Sequence, residues 1–277
     1  MVNNTYSILV NTCDKFEDCW NPFFKLFKKY WPNYNGTIYL NSEYKDYSYE
    51  GLNIVALKVC EKQQDANKIT WSECLKRALE SIDSDIILYM QEDYFIKGKV
   101  EYKLVEKYSN LIRETPNIHC IHLTDQSLIS TREICNYEGL KVAQMNQRYR
   151  ISCQAALWNK NVLSSYIRTY ENAWQFEEFG SKRGAIMKHN FYVVDNNWVK
   201  LNEFEIIPYL FTGIVQGRWY EEVIDLFKNN EIIIDYSKRG FLNDKLPKSI
   251  RDKIKYKLLL LPVIIRNLPD LIKYSIG

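Results

Sequence analysis

The sequence predicts an α/β protein: a Rossmann-type mixed sheet flanked by helices, followed by a basic amphipathic helical tail. Three observations carry this. The first 40 residues read as strand, helix, strand, a βαβ opening that calls for a parallel sheet. The stretch 84–95 is an apolar run of strand length, rich in β-branched and aromatic residues, that ends on the adjacent carboxylates Glu92 and Asp93. From Lys238 to the end, ten Lys or Arg face three Asp, a surplus of +7 that leaves −4 for the first 237 residues of a chain whose total is +3.

Taken in order, 6–10 reads as the first strand and 18–30 as a helix, because Trp20, Phe23, Phe24, Phe27 and Tyr30 recur at three- and four-residue spacing opposite Lys25, Lys28 and Lys29. Trp31-Pro32 ends it, and 37–40 forms the second strand. A third strand is expected over 52–59 and a helix over 70–82, with Trp71, Leu75, Ala78, Leu79 and Ile82 as its apolar stripe. After the carboxylate strand come a polar helix over 101–113 and a strand over 118–123. The stretch 127–145 lacks periodicity, as a binding loop or short irregular strands would. A strand over 148–158 and a helix over 161–170 follow, and 172–183 interleaves aromatics, two carboxylates and a Gly-Ser turn. Late strands are expected at 191–194 and 205–207, a loop at 213–219 and a helix over 221–227. Pro247, Pro262 and Pro269 cut the remainder into short helices. Residues 1–235 therefore read as the main domain and 236–277 as the tail.

Composition narrows the class. At 46% hydrophobic and 26% charged residues the chain is an ordinary globular one, with 21 Tyr that suit either a Tyr-rich core or stacking on flat rings. An acidic body beside a basic tail argues against a nucleic-acid binder and for contact with an anionic surface. The tail is either a helix packed on the domain or one lying in a membrane interface, where each basic residue adds roughly 1 kcal/mol. The bare Leu258-Leu-Leu-Leu-Pro-Val-Ile-Ile265 run favours the membrane. The seven Cys follow no metal-binding or disulfide pattern, there is no signal-peptide pattern, and no run approaches the roughly 18 apolar residues of a transmembrane helix. The expected location is cytoplasmic, peripheral on the cytoplasmic face of the inner membrane.

Several chemistries lack their motifs. There is no G-x-x-x-x-G-K-[ST] loop, no G-x-G-x-x-G after the first strand, no G-x-S-x-G elbow and no H-E-x-x-H. Carboxylate chemistry remains. Glu92 and Asp93 fall where open α/β sheets hold ligands, outside the carboxyl ends of the strands. Side by side they need a cation, hydrogen-bond donors or a solvated corner.

The opening Ile8-Leu-Val-Asn-Thr-Cys-Asp-Lys-Phe16, the strand end Gln91-Glu92-Asp93-Tyr94-Phe95, and Trp174-x-Phe176-Glu177-x-x-Gly180-Ser181 resemble bacterial nucleotide-sugar glycosyltransferases of the GT-A fold, of the capsule and lipopolysaccharide type. The resemblance spans about residues 6–220. It implies that Gln91-Glu92-Asp93 fills the D-x-D place. Asp93 would then be a metal ligand, and Glu92 a second ligand or a ribose contact. Gln91 lowers the charge of that place, and Mg²⁺ and Mn²⁺ suit its oxygens equally. The resemblance further implies a carboxylate base for the acceptor hydroxyl, Glu177 or its neighbour Glu178. One base suffices for inversion, the expected outcome. Tyr94, Trp174 and Phe176 would meet the acceptor, although 174–179 also reads as an amphipathic turn with solvated Glu.

For the donor, Thr12, Asp14 and Asn41 lie after the first two strands. Asp14 reads equally as an N-cap. Lys68, Trp71 and Ser72 precede the carboxylate strand, Trp71 also reading as core. Arg183 and Arg218 offer guanidinium forks for a diphosphate, or are ordinary surface arginines. The implied partners are a nucleotide-sugar donor, a saccharide or lipid-linked saccharide acceptor and an anionic membrane, with no nucleic acid. Two rivals stand beside this: a sugar nucleotidyltransferase, whose Gly-rich, Arg-containing first loop is replaced here by Asn11-Thr-Cys-Asp-Lys-Phe16, and a non-catalytic carbohydrate-binding protein of the same fold.

Overall fold

The computed structural model describes residues 6–61, 69–124, 135–195, 206–242 and 260–272. Its centre is an eight-stranded mixed sheet in the order β3-β2-β1-β4-β7-β5-β8-β6. These are β1 Ser7–Asn11, β2 Thr37–Asn41, β3 Asn53–Ala56, β4 Ile86–Gln91, β5 Cys120–His122, β6 Leu140–Val142, β7 Ala156–Asn159 and β8 Phe191–Val194. β3, β2, β1 and β4 run parallel, β7 is reversed between β4 and β5, and β6 is antiparallel to β8 at the edge. The α/β reading of the sequence, a mixed sheet with flanking helices, is the architecture found.

Alternation on the central strands feeds two cores. Ile8 and Val10 of β1 and Leu88 and Met90 of β4 face one side, with Trp20, Phe23, Phe24 and Phe27 of α1 Glu17–Tyr30 and Val105 and Tyr108 of α3 Tyr102–Glu114. Leu9, Ile87 and Tyr89 face the other, with Leu75 and Leu79 of α2 Trp71–Ser81, Leu163 and Tyr166 of α4 Lys160–Tyr166 and Phe176 of α5 Ala173–Met187. Thr70 caps α2 by accepting from the Glu73 amide at 3.1 Å.

Four expectations are corrected. Only the last residues of the strand expected over 148–158 are strand. Before them the backbone is held largely by side chains: the Ile151 amide donates to Ser181 Oγ at 3.0 Å and the Cys153 amide to a carboxylate oxygen of Glu177 at 2.8 Å, while the buried Arg150 reaches the carbonyls of Ala143 and His189. No Gly-Ser turn breaks 172–183. α5 runs through Gly180 and Ser181 behind an Asn172/Gln175 capping box, and Gly180 lets the helix pack so closely that a Cβ there would lie 3.1 Å from the Ile151 side chain. The loop expected at 213–219 is a hairpin, β9 Ile214–Val215 and β10 Arg218–Trp219, whose turn residues Gln216 and Gly217 both have positive φ. Ile206 and Ile207 are not strand, and Glu205 lies outside the described residues. The helix that follows is α6 Val223–Asn229.

In the tail, 260–272 is one helix, α7, despite Pro262 and Pro269. Pro262 falls in the first turn, whose N–H groups have no intrahelical acceptor to lose. Pro247 and the rest of 243–259 lie outside the described residues, as does the 127–134 part of the unpatterned stretch; β6 occupies part of the remainder. No helix among the described residues is long and apolar enough to cross a membrane.

Candidate functional site

Parallel pairing sets Asn11, Asn41 and Gln91 in one row at the ends of β1, β2 and β4. The three chain segments that leave this row therefore open on the same edge of the sheet. Asn41 Nδ2 donates to Asn11 Oδ1 at 2.7 Å, and its own Oδ1 is buried with no hydrogen-bond partner. Thr12 is buried, and its hydroxyl accepts from Trp20 Nε1 at 2.9 Å. Asp14 is neither a free carboxylate nor a helix cap. It accepts the backbone N–H groups of Glu43, Tyr44 and Lys45 at 2.9–3.1 Å, while its own amide donates to Glu43 Oε2 at 3.1 Å. The loops after β1 and β2 are thereby clasped together.

Glu92 and Asp93 follow β4 directly, and both are 7% exposed. Burial, and then the charge of Asp93, push the Glu92 carboxyl well above the usual carboxylate range. Burial also raises Asp93, against the hydrogen bonds it receives from Thr212 Oγ1 at 2.6 Å and the Ile214 amide at 3.1 Å, both on its Oδ2. The carbonyl of Asp93 takes the Gly213 amide at 2.9 Å. A side chain at 213 is excluded, since a Cβ there would lie 2.2 Å from the Phe95 ring. Cys13 borders the same carboxylates: burial, then Glu92 and Glu43, push its thiol up to about 11.

One cation reaches this edge from the tail. Arg239 pairs with Asp18 through two nitrogens at 2.6 and 2.5 Å, donates to the Lys15 carbonyl at 2.7 Å and lies over the Phe16 ring. Its charge acts against the raised pKa of Glu92. In the sequence Arg239 stands out only as tail charge, and Asp18 and Thr212 do not stand out at all. Nothing in their spacing relates them to 92–93.

On the other side of β4, α5 brings Glu177. Phe176, Glu177, Gly180, Ser181 and Gly184 recur at three- and four-residue spacing and form the inward stripe of the helix. Glu177 Oε1 accepts the Cys153 amide at 2.8 Å, and burial raises its pKa. The Tyr89 hydroxyl, buried without a hydrogen-bond partner, is pushed up by burial and then by Cys153, Glu92 and Glu177. Glu178 points elsewhere, pairing with Lys182 at 3.1 Å on an exposed face.

The other predicted positions divide plainly. Trp174 is 72% exposed, whereas Phe176 is buried with its ring 5.6 Å from that of the half-buried Trp71. Tyr94 is buried too, donating to the Cys153 carbonyl at 2.8 Å, accepting from Gln154 Nε2 at 3.0 Å and stacking on Tyr209. Ser72 is buried, and its hydroxyl has no partner. Arg183 is not a surface guanidinium. Fully buried, it pairs with Glu171 at 2.6 and 2.7 Å, donates to the Tyr166 carbonyl at 2.8 Å and to Asn267 Oδ1 at 2.6 Å, so both terminal nitrogens are taken. Arg218 stands exposed on the hairpin. Lys68 lies outside the described residues.

For a divalent cation, the donor set at 92–93 is two adjacent buried carboxylates, both pushed up by burial, and Glu92 further by the charge of Asp93. A hard dication would relieve both effects, so these residues fit Mg²⁺ or Mn²⁺. Glu43, Cys60 and Cys74 also bring one ligand atom each to within 4.8 Å of one another, a softer set.

No family model matches the chain, and no curated protein matches it. Among solved structures, TarS of S. aureus superimposes with a TM-score of 0.45 at 13% identity, covering 97% of this chain and 49% of that one. TarS in complex with UDP-GlcNAc gives 0.44 at 12%, over 68% and 55%. Glucosyl-3-phosphoglycerate synthase from Mycobacterium tuberculosis, in complex with Mn²⁺ and UDP-Glc, gives 0.41 at 9%, over 87% and 81%. The chain spans 49–65% of the length of the first structures it matches. Likenesses this distant bear on no function.

Proposed function

We propose that the chain is a GT-A-like glycosyltransferase that moves a sugar from a nucleotide-diphosphate donor to a saccharide hydroxyl. One observation carries the reading: Glu92 and Asp93 leave the end of β4 as a buried pair, on the edge where Asn11, Asn41 and Gln91 end the parallel strands. The catalytic unit in this reading is 1–235, with 236–277 as the tail. The basic tail supports a lipid-linked acceptor in surface polysaccharide synthesis.

Glu92 and Asp93 would hold Mg²⁺ or Mn²⁺, which when bound supplies positive charge to the leaving diphosphate. Thr212 and the Ile214 amide keep Asp93 in one orientation, and Arg239 lends further positive field. Arg218, exposed on the hairpin, is free to meet diphosphate oxygens in a way that Arg183 is not. The orphaned Asn41 Oδ1 offers an acceptor to a base or ribose donor group. Glu177 takes the proton of the acceptor hydroxyl as that oxygen attacks the anomeric carbon. The nucleoside diphosphate leaves from the opposite face, so the configuration inverts. The raised pKa of Glu177 suits a base working near neutrality.

The test is thermal stabilisation and turnover with UDP-, GDP-, CMP- and TDP-sugars, each with Mn²⁺, Mg²⁺ or EDTA, since binding to the native state raises the melting temperature. The expected result is stabilisation by one nucleotide class that EDTA or Asp93→Asn removes, and transfer or donor hydrolysis abolished by Glu177→Gln. If nucleotide sugars neither stabilise the protein nor turn over, the reading fails.

A further inference from the structure

Helix α7 is mounted the wrong way round for a water-soluble protein. Its inward side carries Asn267 and Asp270 beside the half-buried Leu260, Val263 and Leu271. Asn267, with no exposed surface, gives its Oδ1 to Arg183 at 2.6 Å, Asp270 pairs with Arg168, and the Arg266 carbonyl takes the Tyr170 hydroxyl at 3.1 Å. Its apolar side faces outward. Leu261, Ile264, Ile265, Leu268 and Ile272 recur at helical spacing along one face, 40–58% exposed. Amphipathic helices of soluble domains bury the apolar stripe and expose the polar one, and contiguous apolar patches of this kind mark contact sites.

The orientation is built in. Arg183 is completely buried and has its charge balanced by Glu171, and Asn267 supplies the remaining acceptor for its NH1. Turning the helix to hide its aliphatic side chains would withdraw Asn267 from a buried guanidinium and Asp270 from Arg168. Both losses are costly. The body of the protein therefore fixes the helix through Asn267 and Asp270 and leaves the stripe of Leu261, Ile264, Ile265, Leu268 and Ile272 exposed.

We propose that this face docks on an anionic lipid bilayer, with the aliphatic stripe at the level of the headgroup–acyl boundary. Charge selects this occupant. The chain leading into the helix carries Lys245, Lys248, Arg251, Lys253, Lys255 and Lys257 against Asp244 and Asp252, and Lys273 follows it. Basic residues beside an interfacial helix are attracted to anionic headgroups. A second copy of the chain is disfavoured on two grounds. Two copies carry the same surplus of basic residues in this part of the sequence, and five half-exposed side chains on a helix of 13 residues fall short of the roughly 800 Å² per partner that a stable dimer buries. The docking stands whether or not the chain transfers sugars.

The test is flotation of the full chain with vesicles of phosphatidylcholine, alone or with about 30 mol% phosphatidylglycerol. The expected result is at least about tenfold stronger partitioning onto the anionic vesicles, weakened by salt. The triple variant Ile264→Ser, Ile265→Ser, Leu268→Ser should lose about tenfold or more of that binding. Because these side chains are already exposed, its circular dichroism and melting temperature should stay those of the parent. Ile233→Ser, which removes an aliphatic side chain 99% exposed elsewhere, should bind as the parent does. Equal partitioning of parent and triple variant overturns the proposal. So does a parent that light scattering shows as a dimer, with the triple variant monomeric and neither bound to vesicles.

Discussion

Glu177 Oε1 accepts the backbone N–H of Cys153 at 2.8 Å, so the carboxylate offered as the base is oriented by main chain that α5 itself helps to hold. Burial raises its pKa, and only that one hydrogen bond acts the other way. A base must be deprotonated to work. The acid limb of the rate profile is therefore expected above the ordinary Glu pKa, with activity lost as pH falls through it. Glu177→Gln keeps the size of the side chain and an oxygen for the Cys153 amide. It should lower kcat by about 10²–10⁴-fold while leaving the donor-induced rise in melting temperature intact. Parental turnover in this variant would remove Glu177 from the base role.

The turn at 212–214 is shaped around Asp93. Thr212→Val leaves the Asp93 carboxylate one donor short in a buried place, at an expected cost of about 1–3 kcal/mol in urea unfolding. Gly213→Ala drives a methyl group to 2.2 Å from Phe95 Cε2, which only a displaced loop can relieve. Overpacking of this kind costs about 1–3 kcal/mol. In both variants the extra stabilisation that Mn²⁺ gives to nucleotide-sugar binding should shrink. Undiminished Mn²⁺ dependence in both would mean that the turn does not support the metal-binding side chain.

The two arginines offered for the diphosphate should separate cleanly. Arg183→Met strands the buried carboxylate of Glu171, and loss of one partner of a buried pair costs about 3–5 kcal/mol. Its effect is on folding, read by denaturant titration, and replacing Glu171 as well should recover much of it. Arg218→Ala touches an exposed hairpin and should leave stability within about 0.5 kcal/mol while raising KM for the donor. A stable Arg183→Met protein with weakened donor binding would reverse these assignments.

The strong periodicities were readable. Aromatic spacing located α1, the apolar run located β4, and the carboxylates at its end fall on the ligand edge because parallel pairing aligns Asn11, Asn41 and Gln91. What misled was local chemistry that tertiary contacts override. Gly180-Ser181 looks like a turn, yet the glycine permits close approach to Ile151 and the serine hydroxyl bonds the Ile151 amide, so the helix continues. Read as a helix, the same segment would have put Glu177 on the inward stripe and Glu178 outside. Arg239, Asp18 and Thr212 carry no signal of their own, because each matters through a partner more than 100 residues away. Polar residues of α7 look like its solvent face until Arg183 is seen to be buried against them.

His122 gives the fold an acid-side weakness. Its Nε2 donates to the Arg150 carbonyl at 3.1 Å, and its Nδ1 is buried without a partner, close to the Arg150 charge and packed edge-on to Trp158 and Phe191. Burial, before any other cause, lowers its pKa from 6.5 to about 4. As pH falls below 6.5 the unfolded chain takes up a proton that the folded imidazole refuses until about 4, so the unfolded state gains. Stability contributed by the neutral ring is complete above 6.5 and is lost by about 1.4 kcal/mol per pH unit down to about 4, some 3 kcal/mol in all. Burial lowers His119 and His189 as well, in the same direction. His122→Gln retains a donor for the Arg150 carbonyl and has no titration. Urea unfolding of both proteins at pH 7 and pH 5 should show the parent losing about 2 kcal/mol more than the variant between them. Parallel losses would mean that His122 is not the group that titrates.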